Sequence, residues 1–454
     1  MSRTLLVYPP FCTPAGPPFS ITNIHAFLKG NLSEEHELLV LDLNIEFHKI
    51  KFPKHKEYYK GLSRSYDKDE YNRITEEYKQ LTKGTYAASN TEVVEGRNPE
   101  LFDEMLRQIT SASPDIVAFS IVYSSQCFYT LALIKALNTL NIKTVIGGPA
   151  VSDKMRPHTT ELKNELELLN FINGKEAEHD KLNFDSIPDF TIYDLAEYFT
   201  PEPVLPVRTS SACYYKQCAF CTHHHHADYF EFPIQKIKDI IVKSGQRRFF
   251  LVDDMIHKKR LLEIAETLRP LKVSWMCQLR PTKDLDRETL ATLKEAGLDF
   301  IIWGVESASD RILNIMRKGT NSDDIKQVMN DAHAVGIRNG VFIMFGFPTE
   351  TKEEFLMTID FLKEHKEDID LVSTSVFGLQ KGTPIYAHPE EFRVTKIIEH
   401  QRTVLEPRIE YEVGEGLSHA EATLLRQRYK KTLESINRFP KTMNFFREHL
   451  LCLS

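Results

Sequence analysis

The sequence predicts two consecutive α/β units. The first is a Rossmann/flavodoxin-like open sheet over residues 1–180, and the second a partial TIM-like (β/α)6 barrel over residues 208–389. Three observations predict this. Short β-rich runs alternate with helix-spaced apolar segments in both units, as parallel strands joined by right-handed crossovers require. A linker at 181–207, carrying Pro188, Pro201, Pro203 and Pro206, separates the two alternations. The second alternation repeats six times and then gives way to a charged, helical C-terminal region over 390–454.

In the first unit, residues 5–8 form a buried-strand run stopped by Pro9 and Pro10, and 21–28 have helical spacing. Strands follow at 38–43, at 116–121 after the turn Ser113-Pro114-Asp115, and at 144–146 before Gly147-Gly148-Pro149. A helix at 128–140 lies between the last two. Residues 45–110 interrupt the alternation. They are polar and rich in Tyr, Lys and Glu, and read as a helical insertion packed on the sheet edge. In the second unit the strands are 207–209, 248–252, 273–278, 300–305, 340–345 and 371–377. Helices are expected at 233–243, 259–268, 287–296, 322–335 and 352–363. Ligands of both architectures bind at the carboxyl ends of the strands.

The charge of −7, from 57 basic and 64 acidic residues, offers no electrostatic case for nucleic acid or an acidic membrane. No run reaches the roughly 18 apolar residues of a membrane span, and the N-terminal apolar run is too short for a signal peptide. A cytoplasmic location is the expectation. Seven cysteines, an odd count, argue against a disulfide framework.

Three of the seven fall within nine residues: Cys213-Tyr214-Tyr215-Lys216-Gln217-Cys218-Ala219-Phe220-Cys221. Three thiolates on one loop can hold a metal centre. A structural zinc needs about four ligands, and the run from His223 to His226 offers a fourth. An iron–sulfur cluster suits the same thiolates. Spacing alone leaves both open. Cys277 reads as a small buried hydrophobe, and Cys12, Cys127 and Cys452 are isolated.

The loop resembles the signature of radical S-adenosylmethionine (SAM) enzymes, in which three cysteines and an aromatic before the last hold a [4Fe–4S] cluster. The usual Cys-x3-Cys-x2-Cys has one residue more in its first gap here, as in branches reading Cys-Tyr-Trp-Gly-Lys-Cys-x-Phe-Cys. Further segments match in order: Gly304-Val305-Glu306-Ser307 at the fourth strand end, Met316-Arg317-Lys318-Gly319, and Gly346-Phe347-Pro348-Thr349-Glu350-Thr351 after the fifth strand. The resemblance implies that Cys213, Cys218 and Cys221 ligate three irons and SAM chelates the fourth. Cleavage of the sulfonium then yields a 5′-deoxyadenosyl radical. It implies that Phe220 shields the cluster, Glu306 contacts SAM, and Gly346 and Pro348 pass close to the adenine. Gln278 and Arg280 face the site, with Arg280 on the SAM carboxylate, while Asp253 and Asp254 contact its amino group. Each has a plainer reading: Glu306 as a surface or capping residue, Arg280 as a barrel-end ion pair, Thr349 or Thr351 as a helix cap. The four histidines read first as a solvated loop, and second as a source of a substrate or proton-transfer group.

The first unit resembles the cobalamin-binding domain that precedes the barrel in one branch of that family. Tyr8-Pro9-Pro10, residues 114–120, Gly147-Gly148-Pro149 and Gly174-Lys175-Glu176 match in order. The loop after the first strand lacks the Asp-x-His-x-x-Gly that supplies a cobalt ligand in many cobalamin proteins. The resemblance places the corrin over Tyr123, Ser124, Gly147 and Gly148. It implies a cobalamin-dependent radical SAM enzyme, one possibility being a C-methyltransferase, with a small-molecule or peptide substrate and an electron donor such as flavodoxin or ferredoxin. The alternatives are a radical SAM enzyme without cobalamin and a zinc-stabilised, non-catalytic binding protein. The first unit carries no additional cysteine set of the kind tRNA methylthiotransferases use.

Overall fold

The computed structural model describes residues 2–222 and 228–453. The apolar runs become strands wherever both faces are covered. β1 (Arg3–Tyr8), β2 (Glu37–Asp42), β3 (Ile116–Ser120), β4 (Lys143–Gly147) and the two-residue β5 (Thr160–Glu161) form one parallel sheet in the order β2-β1-β3-β4-β5. That order is flavodoxin-like and puts a topological switch point between β1 and β3, where ligands of such sheets sit. β5 and the helix Glu165–Asn173 after it extend beyond the expected elements.

The insertion is helical, as expected: Leu43–Lys51, Pro53–Gly61, Lys68–Val94 and Phe102–Ser111. Asp42 and Asp67 cap two of these helices by accepting from the Ile45 and Glu70 amides. The packing goes further than a sheet edge. Tyr71, Thr75 and Tyr78 stand at helical spacing on one face and are fully buried, and Tyr59 joins them. The Tyr59 and Tyr78 rings pack on Phe199 and Phe446, from the linker and the C-terminal segment. One core therefore runs from β1 through these tyrosines to Met276, Phe300 and Ile302 inside the second sheet.

The second sheet comprises β6 (Val204–Val207), β7 (Arg248–Leu251), β8 (Ser274–Leu279), β9 (Leu298–Glu306), β10 (Arg338–Phe345) and β11 (Leu371–Val376), all parallel and in chain order. β6 and β11 do not pair, so the barrel is open, as expected of a partial (β/α)6 fold. The first strand is displaced from the expected 207–209. It begins at Val204 and includes Pro206, which an edge strand tolerates because one row of its amides has no partner to lose. The C-terminal region is helical from His419 onward, but it opens with an antiparallel hairpin that the helical expectation did not contain: β12 (Val394–His400) and β13 (Arg408–Val413).

Candidate functional site

The cysteine loop leaves the carboxyl end of β6 and is held at its base by Asp253, two residues beyond β7. Asp253 is fully buried and accepts from the amides and hydroxyls of Thr209 and Ser210 at 2.7–3.1 Å. Burial pushes its carboxyl above the usual range, and these four donors pull it back. The expectation that Asp253 meets SAM is corrected here: its oxygens are already used to fix the loop. Asp254 pairs with Arg208 at 3.2 Å. The far end of the loop is closed by the Ser210–Glu231 bridge and by Ser211, whose amide donates to the Phe230 carbonyl.

Between these ends the loop is stitched to later strand ends. The Ala219 amide donates to the Met316 carbonyl at 2.9 Å, and the Ile385 amide to the Ala219 carbonyl at 3.2 Å. The Tyr215 hydroxyl donates to the Arg317 carbonyl at 2.9 Å. Cys213, Cys218 and Cys221 are partly buried and form no disulfide. Burial pushes Cys218 up to about 11; nearby Lys318 lowers it, while Cys221, Glu306 and Cys213 raise it further. The three thiols are thus neighbours in one electrostatic field. Among the described residues, no three His, Cys, Asp or Glu side chains stand as a preassembled ligand cage. The run His223 to His226 lies outside the described residues.

Glu306 ends β9 with φ 66° and is nearly buried. Lys318 Nζ donates to its Oε1 at 2.8 Å. Lys318 is itself buried, 5.6 Å from the centre of the Phe220 ring. Sequence reasoning quoted Lys318 only as part of a turn and missed it as a site residue. A Cβ on Gly304 would lie 2.8 Å from Lys318 Nζ and 3.0 Å from Glu306 Oε1, so this pair needs a glycine beneath it. Arg280 stacks on Tyr215, 3.7 Å from its ring centre, and donates to the Lys318 carbonyl at 3.2 Å. Its buried Nε has no partner among the described residues. Gln278 is half-buried on β8, in the row that includes Met276 and faces the barrel interior.

Gly346 and Pro348 are buried. At Gly346, φ is 70°, and a Cβ would meet the Ala422 Cβ at 2.5 Å. The close approach seen there is to the helix His419–Arg428. Glu350 accepts from the Gly346 amide, and burial raises its carboxyl to about 8.

In the first sheet, Gly147 and Gly148 end β4, while Tyr123 and Ser124 are exposed beyond β3. A cavity of about 180 Å³ opens beside the two glycines, lined by Leu6, Ile21, Ala118, Ser120, Val145 and Leu168. Gly148 has φ 116°, and a Cβ there would lie 2.3 Å from the Ile121 carbonyl.

Residues 207–362 match the radical SAM superfamily. The chain carries a radical SAM domain. The protein is accordingly an enzyme, and the family that this domain matches implies a [4Fe–4S] cluster and SAM. The chain is 25% identical to an uncharacterized methyltransferase of Pyrococcus horikoshii, over 66% of this chain and 74% of that protein. It is also 25% identical to the ribosomal protein uS12 methylthiotransferase RimO of Nostoc punctiforme, over 47% of this chain and 54% of that one. It therefore spans about half the length of that relative. Two solved structures share the fold. The radical SAM methyltransferase TsrM of Kitasatospora setae, with cobalamin and a [4Fe–4S] cluster bound, aligns with TM-score 0.57 and 16% identity over 93% of this chain and 81% of that one. The cobalamin-dependent SAM radical enzyme OxsB aligns with TM-score 0.62 and 14% identity over 100% of this chain and 72% of that one.

Proposed function

We propose that the protein is a cobalamin-dependent radical SAM methyltransferase acting on a substrate held between the two sheets. The observation that carries this is the meeting of Cys218 with the Glu306–Lys318 pair at the carboxyl ends of the barrel strands. Three soft thiolates suit a four-iron cluster and leave one iron without a protein ligand. Bound there, the cluster would supply the electron that cleaves the SAM sulfonium.

The chain's own residues then bind and orient. Glu306 keeps its Oε2 for the SAM ammonium while Lys318 holds Oε1. Arg280, pinned by Tyr215, turns its unpartnered guanidinium edge to the SAM carboxylate. Phe220, set edge-on against Phe347, keeps water from the cluster side of the loop. The cavity beside Gly147 and Gly148 fits cobalamin's nucleotide tail, whose fused bicyclic base is an apolar plate. The corrin face would rest over Tyr123 and Ser124, with no histidine ligand to cobalt from residues 9–14. Cobalamin would supply the methyl carrier. Support for this over a methylthiotransferase is the cysteine count in the first unit, where only Cys12 and Cys127 occur. A reducing, cytoplasmic setting and a flavodoxin or ferredoxin as electron donor belong to the same proposal. Among the described residues no helix is long and apolar enough to cross a membrane.

The test is anaerobic purification after growth with cobalamin, followed by iron, sulfide and zinc analysis, a corrin spectrum and assay of SAM cleavage. Iron and sulfide near four per chain, a corrin band and loss of SAM cleavage in Cys218→Ala are expected. Stoichiometric zinc without iron would overturn the radical reading. Iron with no corrin band would overturn the cobalamin half alone.

A further inference from the structure

The cavity of the first sheet is a gap in an apolar layer. That layer lies between the sheet and the helices Phe19–Lys29 and Glu165–Asn173, and it contains Leu6, Ile21, Ala118, Val145 and Leu168. All five line the cavity and are buried. The sheet leaves room because it presents small residues there, Ala118 and Ser120 on β3 and Gly147 at the end of β4. A Cβ on Gly147 would lie 2.8 Å from the Leu162 carbonyl, so the crossing chain keeps that wall free of a side chain. Floor and mouth differ in chemistry. Gly148, Pro149, Lys163 and Asn164 are exposed and mark the mouth, while the buried floor is aliphatic.

Polar side chains on the wall are few, and most are engaged. Ser120 donates to Ser20 at 2.9 Å, which leaves the Ser20 hydroxyl proton as the one donor of the pair still to give. Asn164 caps its helix by accepting from the Glu167 amide. Lys163 and Glu165 stand beside it at the mouth, not on the floor. A cavity of this kind suits an apolar ring. One of about 150 Å³ lined by Leu, Ile and Phe stays dry and binds benzene.

We propose that this cavity selects the lower base of the corrinoid: it takes benzimidazoles, 5,6-dimethylbenzimidazole most tightly, and rejects purines. This inference rests on the proposed use of cobalamin. The two kinds of base share a bicyclic outline and differ in polarity. A purine replaces two ring CH groups by nitrogen acceptors, and adenine adds an amino group with two donors. Against Leu6, Ala118, Val145 and Leu168 these groups find no partners. A buried polar group left unpaired weakens binding by about tenfold or more. The methyl groups of dimethylbenzimidazole act the other way. Each adds apolar surface to bury on the aliphatic floor, worth roughly a factor of four in affinity.

The test is equilibrium dialysis of the full-length, cluster-reconstituted protein against four corrinoids, with bound corrin read by absorbance. They are cobalamin, its unsubstituted benzimidazole analogue, its adenine analogue, and cobinamide, which has no base. Cobalamin is expected to bind about tenfold more tightly than the benzimidazole analogue, and that analogue at least tenfold more tightly than the adenine one. Cobinamide should bind at least a hundredfold more weakly than cobalamin. Ala118→Leu fills the cavity from β3. It should bring cobalamin down towards cobinamide, and it should melt no lower than wild type because the leucine occupies existing space. The wild-type series decides the matter even if that variant does not fold. Any other order among the three bases, or cobinamide binding as tightly as cobalamin, would overturn this inference alone, since corrin is still bound. Absence of all four corrinoids from protein that holds iron and cleaves SAM would overturn the cobalamin reading and this inference with it.

Discussion

Lys318 donates to Glu306 at 2.8 Å, with side chains 6% and 11% exposed, and Phe220 lies over the ammonium. An ion pair this buried gains little against an apolar pair of the same shape, but removing one partner strands the other. Lys318→Met is therefore expected to cost about 3–5 kcal/mol, read from denaturant unfolding. Adding Glu306→Leu should recover most of that loss. Iron content should stay low in the double variant, since its carboxylate and ammonium beside Cys218 are both gone. Recovery of iron there would show that the pair serves stability only.

Asp253 tests the base of the loop. Asn at this position keeps one acceptor oxygen and turns an amide towards donors. Oδ1 accepts from all four donors and Oδ2 only shares the Thr209 amide, so with the Asn oxygen at the Oδ1 position that one contact should fail, at about 1 kcal/mol. Asp253→Asn should also retain less than half the wild-type iron after identical reconstitution. Full iron retention would mean that the loop does not depend on this anchor.

The strands were legible in sequence because their β-branched and aromatic runs are buried on both faces, and the cysteine loop because its meaning lies in short spacing. Other features needed the fold. The hairpin β12–β13 is largely exposed and reads as a charged tail, with Lys396, Glu399, Glu410 and Glu412 along it. Asp253 lies at a strand end, where a ligand contact is the natural expectation. Only coordinates show that Thr209 and Ser210 have taken its oxygens. Gly346 was legible as a place of close approach, but the approaching group, Ala422, lies 76 residues further on.

Glycines provide a contrasting pair. Gly148 combines φ 116° with a Cβ position 2.3 Å from a carbonyl. Gly148→Ala should destabilise by more than about 1 kcal/mol, since both strain and collision act, and should abolish the corrin band while leaving iron unchanged. Gly84 sits within the helix Lys68–Val94, and a Cβ added there would meet nothing within 4 Å. Gly84→Ala should stabilise by about 0.5–1 kcal/mol and leave both cofactor spectra intact. Equal effects of the two changes would contradict the packing beside β4.

His449 supplies a pH signature. It is fully buried, with Nε2 against the Phe199 carbonyl and Nδ1 against the Tyr71 hydroxyl, both at 2.8 Å. A carbonyl only accepts, so Nε2 carries the proton and Nδ1 accepts from Tyr71. Burial lowers the folded pKa from 6.5 to about 4, with the Phe199 contact opposing. Between those values the unfolded chain binds a proton that the folded one does not, so this contribution is complete above 6.5 and falls away as pH drops towards 4. Asp42, raised to about 7, and Glu350, raised to about 8, act in the opposite direction. The wild-type profile alone is therefore uninformative. The difference between wild type and His449→Gln isolates the histidine, since a constant packing loss cancels. From pH 6.5 to 5 that difference should move by about 2 kcal/mol in favour of the variant, followed by urea unfolding at each pH. A difference independent of pH would show that His449 titrates alike in both states.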